Sequence, residues 1–125
     1  MKSVLIGASL SVSLALAGSA QAQQAETVRD MRCAAAIAFM AAQSGAPDAS
    51  KDAAMGLLYF LGRVEGREPG MALEPAFKAT VATMTEADIQ TDLVRCGAAL
   101  SVKGKELQVI GKSLQDASAA AKPVT

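Results

Sequence analysis

The sequence predicts an all-α protein, a compact bundle of four or five helices with one disulfide. Three observations point there. The chain is rich in Ala, Leu and Met but holds only three Phe, one Tyr and no Trp, and Ala loses least on entering a helix. Its apolar residues return at intervals of three and four, without the alternation of a half-buried strand. Short strings of Gly, Pro and Ser separate the periodic stretches, and short connections favour antiparallel neighbours in a bundle.

Residues 1–22 read as an export signal. Lys2 gives a positive start, Val4 to Ala17 is a short apolar run, and Ala20-Gln21-Ala22 has the small-x-small pattern of a cleavage site. The run is shorter than the roughly 18–20 residues that span a bilayer, and Gly7, Ser9, Ser11 and Ser13 dilute it. Cleavage after Ala22 would leave residues 23–125 as a single helical domain without a stable membrane anchor. Its expected location is periplasmic, where disulfides form.

Gln23 to Thr27 reads as a polar lead-in. The first helix is expected over about Glu26–Gln43, where Val28, Met31, Ala35 and Phe39 form one row and Cys33, Ile37 and Met40 a second. Ser44-Gly45-Ala46-Pro47 ends it, since Gly suits a left-handed C-cap and Pro cannot continue. The second helix, about Lys51–Val64, can be capped by Asp48 or Ser50. It aligns Ala54, Leu57, Leu58, Leu61 and Val64. Gly56 and Gly62 inside it imply close approach by a neighbouring helix, or a bend.

Gly66-Arg67-Glu68-Pro69-Gly70 breaks the pattern. A third helix over about Leu73–Met84 aligns Leu73, Phe77, Val81 and Met84, with Pro75 tolerable only in its first turn. Thr85-Glu86-Ala87-Asp88 resembles a capping box. It opens a fourth helix whose stripe is Ile89, Leu93, Cys96 and Leu100. Gly104 reads as a kink or stop before a last helix, about Lys105–Ala119, with Leu107, Ile110, Leu114 and Ala117 aligned. Residues 119–125 read as a frayed tail.

Cys33 and Cys96 are the whole cysteine inventory. An even pair in an exported chain reads as a disulfide. Two free thiols, or a redox pair, are the alternatives; the sequence has no Cys-x-x-Cys. A bond would close a loop over most of the mature domain, worth roughly 4 kcal/mol in the loop-entropy model.

The chain carries 12 basic and 12 acidic residues and no histidine. The balance gives no electrostatic case for nucleic acid or anionic lipid. The missing histidine removes the usual general base and metal ligand. Met31, Met40, Met55, Met71 and Met84 lack the close spacing of a copper site and read as core filler. Ser44, Ser50, Ser101 and Thr85 have no adjacent base. No cofactor, metal or catalytic site is expected.

Glu65, Glu68 and Glu74, with Arg63 and Arg67 interleaved, read as a solvated ion-pair network. The most distinctive string is Leu57 to Arg67. Tyr59 lies off the Leu57/Leu61 stripe, so its hydroxyl is expected in water. In one reading Tyr59, Gly62, Arg63 and Arg67 form a partner-binding surface. In the other this is the core helix and the arginines solvate its end.

An export signal, Cys33 in the first helix, Tyr59-Phe60-Leu61-Gly62 in the middle and Cys96 in a late helix together resemble the small periplasmic acid-stress chaperones of the HdeA type. The likeness spans about Met31 to Leu114. It implies an all-helical, non-catalytic protein whose partners are unfolded clients. Small exported helical immunity proteins against secreted toxins resemble the same pattern and imply one tight protein partner instead. The Gly-Arg segment leaves room for a homodimer. Independently of any likeness, carboxylates lose charge below about pH 4, and the unopposed positive charge loosens a bundle.

Overall fold

The computed structural model describes residues 13–45 and 47–121, with side chains from 19 to 45 and from 50 to 121. Four helices and no strand occur among them: α1 (Ser13–Ser44), α2 (Pro47–Arg67), α3 (Leu73–Ala82) and α4 (Glu86–Ala120). The start of the expected export signal and the end of the expected tail lie outside the described residues.

Three expected boundaries are corrected. α2 begins at Pro47 and runs to Arg67, so Asp48 and Ser50 lie inside it and Gly66-Arg67 does not break it. The polar stretch Gln23 to Thr27 is not a lead-in; α1 passes through it, and through the expected cleavage point after Ala22, without interruption. Its Ala and Gln residues favour helix despite their polarity. Gly104 does not stop or divide a helix either; the fourth and fifth expected helices are one, and Ala119 and Ala120 belong to it. A single Gly costs a helix about 1 kcal/mol against Ala, and the surrounding Lys, Glu and Leu residues outweigh it. Lys103 pairs with Glu106 and Lys112 with Asp116, at 3.0 Å, one turn apart along this stretch.

Each of the other three helices packs on α1. The reason is Ala34, Ala35 and Ala36, all buried. Side chains this short let neighbouring backbones come close on several sides of one helix. α1 and α2 run antiparallel: Gln23 Nε2 donates to the Arg67 carbonyl at 2.9 Å near one end, while Gly56 faces Ile37 near the other. Gly45, at φ 60°, makes the turn between them, a conformation that favours glycine. Gly56 is the close approach expected of it, since an added Cβ would lie 3.0 Å from Ile37 Cδ1 and 3.3 Å from Leu100 Cδ1. Gly62 is not; its surroundings are open.

The disulfide is present. Cys33 of α1 and Cys96 of α4 are bonded, with Cα atoms 5.6 Å apart, and both are fully buried. With Ala34 and Phe60 they form the core, against which Ile37, Leu57, Leu61, Phe77 and Leu100 pack. The interior is thin. Among the described residues only Met31, Phe60 and Val64 are large apolar side chains buried outright, so contacts other than apolar packing carry much of the cohesion. α3 contributes no buried residue; its Phe77 and Val81 lean over Ala35, Ala38 and Phe39 of α1.

α4 starts as the sequence predicts. Thr85 is the N-cap, its hydroxyl accepting from the Asp88 N–H at 3.2 Å while its own N–H donates to Asp88 Oδ2 at 2.9 Å. The Thr85 hydroxyl donates to the same carboxylate, and Arg32 reaches it at 3.1 Å. Led by the backbone hydrogen bond from Thr85, these contacts lower the Asp88 pKa to about 2. A carboxylate depressed in the folded state stabilises it above the ordinary Asp value near 3.9 and stops doing so as pH falls through the folded value. Between about pH 4 and pH 2, the start of α4 should therefore loosen. Amide exchange at Ile89 and Gln90 should speed up across that window in the native chain, and Asp88→Asn should abolish the pH dependence.

Candidate functional site

Two charged clamps flank the disulfide. The first joins α1 to α2. Asp30, almost completely buried on α1, receives Arg63 Nε at 2.9 Å and also Arg67. Arg67 further donates to the Glu26 carbonyl at 3.2 Å and to Thr27 Oγ1 at 3.3 Å. Arg63 donates to the Tyr59 hydroxyl at 3.0 Å, with its guanidinium carbon 5.5 Å from the centre of the Tyr59 ring. The tyrosine contact, followed by the charge of Asp30, raises the Arg63 pKa against the opposing effect of burial.

The second clamp joins α1 to α4. Asp92, also buried, has each oxygen occupied: Oδ2 by Arg32 Nε at 2.7 Å and Oδ1 by Arg95 Nη2 at 2.9 Å. Arg95 also donates to the Arg29 carbonyl at 3.1 Å, and Arg32 bridges Asp92 to Asp88. The hydrogen bond to Asp92, then that to Asp88, raises the Arg32 pKa. No buried side-chain nitrogen or oxygen among the described residues lacks a partner, as the cost of orphaned charge requires.

The four residues singled out as a partner surface are thus divided. Arg63 and Arg67 turn inward to Asp30; they neither solvate the end of α2 nor pair with Glu65 and Glu68. The expected glutamate–arginine surface network is replaced by this clamp, and Glu74 pairs with Lys78 at 2.6 Å. Tyr59 is half-buried, its hydroxyl accepting from Arg63 and its ring meeting Phe60 edge-on at 4.9 Å. Gly62 lies on the exposed side of α2. Asp30 and Asp92 escaped the sequence reading, although each cysteine directly follows one of the clamp arginines, in Arg32-Cys33 and Arg95-Cys96.

Apolar surface lies beside the clamps. An open groove of about 410 Å³ runs between α2 and α4, lined by Met55, Leu58, Tyr59, Leu100, Gly104 and Leu107. Met55 and Leu58 are each 69% exposed. Beyond the groove, α4 shows Ile110 and Leu114 to solvent as well. Such a patch on a small helical protein marks an interaction surface more often than a catalytic one.

Among the described residues no group of three or more His, Cys, Asp or Glu is placed to hold a metal ion, and no helix is long and apolar enough to cross a membrane. No family model, curated protein or solved structure matches the chain.

Proposed function

We propose that this chain is an exported, non-catalytic binding protein of the envelope that holds unfolding client proteins during acid stress. The observation that carries this reading is the way the bundle is locked. Two of the interfaces that α1 makes, with α2 and with α4, are closed by a carboxylate between two arginines, over an interior with few large apolar side chains. Strong acid removes carboxylate charge as a class, and the positive charge left unopposed loosens the bundle. The helices then part and their apolar faces open, while the Cys33–Cys96 bond keeps α1 and α4 tethered. Release by acid and retention of the scaffold are what a reusable client-holding protein needs. The disulfide also suits the oxidising compartment to which residues 1–22 would direct the chain.

The alternative, an immunity protein bound to one toxin, would draw on Tyr59, Gly62, Arg63 and Arg67. It stands second because both guanidiniums are already engaged with Asp30.

The test is light scattering of an acid-labile client at pH 2–3, with and without an equimolar amount of the purified protein. Aggregation should fall by at least half, and the same mixture at pH 7 with a heat-labile client should show little protection. No suppression in acid removes the proposal.

A further inference from the structure

We propose that two copies of this chain pair through the distal half of α4, antiparallel, along Lys103, Leu107, Ile110, Leu114 and Ala117. In α4 the residues Ile89, Leu93, Cys96, Leu100, Lys103, Leu107, Ile110, Leu114 and Ala117 follow one another at alternating spacings of 4 and 3. That is one uninterrupted coiled-coil seam. Its first half is spent inside the molecule: Cys96 is bonded to α1 and Leu100 packs on the core. Its second half continues the same face with no described residue over it, leaving Leu107 60%, Ile110 54% and Leu114 66% exposed. Lys105, Lys112 and Asp116 occupy the opposite side of the helix, together with the exposed Val102 and Val109.

Four features select a second copy as the occupant. The seam is itself a helix with the repeat needed to cover another such seam; in an antiparallel pair Leu107 meets the partner's Ile110, and Lys103 lays its stem on the partner's Leu114. On α4 the seam and its edges carry Lys103 and Glu106, which pair with each other, and Asp52 of α2 lines the adjoining groove beside Lys103, so charges of both signs meet across identical faces. The neighbouring Met55 and Leu58, each 69% exposed, widen the apolar surface beyond α4, as an interface of about 800 Å² per side requires. Gly97, Gly104 and Gly111 stand seven residues apart along one edge of the seam, and a Cβ at any of them would meet nothing within 4 Å. The monomer does not need these glycines, whereas a closely packed neighbouring helix does. The described start of α1 lies toward the Arg67 end of the bundle, away from the groove at Gly56.

Sedimentation equilibrium of the disulfide-bonded chain at pH 7, from about 1 to 100 μM, tests the inference. Twice the chain mass is expected at the upper concentrations. The double variant Leu107→Asp, Leu114→Asp should be monomeric with its far-UV helix signal retained. Gly104→Leu should leave the monomer at least as stable and raise the dissociation constant at least tenfold. Leu114→Glu, which meets the partner's Lys103 only in the antiparallel arrangement, should pair better than Leu107→Glu. A native chain of monomer mass throughout overturns the inference, as does a dimer indifferent to the double Asp variant, or a monomer whose stripe is held by a different protein. The readout is at neutral pH and stands apart from client holding in acid, so either proposal can fail alone.

Discussion

The double substitution Cys33→Ser, Cys96→Ser is expected to lower stability by about 4 kcal/mol. The bond closes a loop of 63 residues, and the loop-entropy model assigns roughly that value to such a closure. Domains of this size are commonly stable by only 5–15 kcal/mol, so a large share is lost. The thermal midpoint should fall by about 15–30 °C at 4–8 °C per kcal/mol. Both sulfurs are fully buried between α1 and α4, and the serine pair leaves hydroxyls in an apolar place, adding to the loss. Circular dichroism melts of the oxidised native chain and the double variant decide the matter. An unchanged midpoint would show that the bond is incidental to the fold.

Asp30→Ala is expected to cost about 3 kcal/mol, the lower end of the range for breaking a buried ion pair from one side. The lower end applies because Arg63 keeps 36% of its side-chain surface in solvent and Arg67 22%, so water screens part of the orphaned charge. The sharper measurement is a cycle. Replacing Asp30, Arg63 and Arg67 together by Leu, Met and Met removes the charges as a set and should cost far less than Asp30→Ala alone, because no unpaired charge remains. Urea unfolding midpoints of the single and triple variants give the comparison. If the triple variant is the less stable by more than the single, the clamp contributes more than its own desolvation consumes, and the client-holding proposal gains a stronger lock to release.

The Thr85 cap and the Gly45 turn are legible in the sequence because each is set within a few residues by turn chemistry, whereas the apolar stripes are only partly so, since Val28, Leu58 and Val81 are exposed. The cysteine pairing is legible because the chain offers only one partner for each. The unity of α4 is not, because Gly104 looks like a stop when read locally, and only the phase of the stripe across Lys103 shows that the two segments share a face. The clamps are hidden for a different reason. Arg63 and Arg67 have Glu65 and Glu68 close by in sequence, but adjacent and next-adjacent positions point to different sides of a helix. Asp30 is far away in the chain yet opposite them on an antiparallel neighbour, and no local pattern records that meeting. The sequence reading therefore picks out the right string, Tyr59 to Arg67, and aims its charges outward when they turn in.

The layout of helices on α1 is that of spokes on an axle. Damage confined to one spoke, such as a lost contact of α3, leaves the other two seated, so the molecule can open in parts. Damage to the axle is felt everywhere at once, and the Ala34–Ala36 patch leaves it no slack: one added methyl pushes against several neighbours together. Evolution can therefore reshape the spokes with some freedom, whereas the middle of the first helix is where the chain has least latitude to vary.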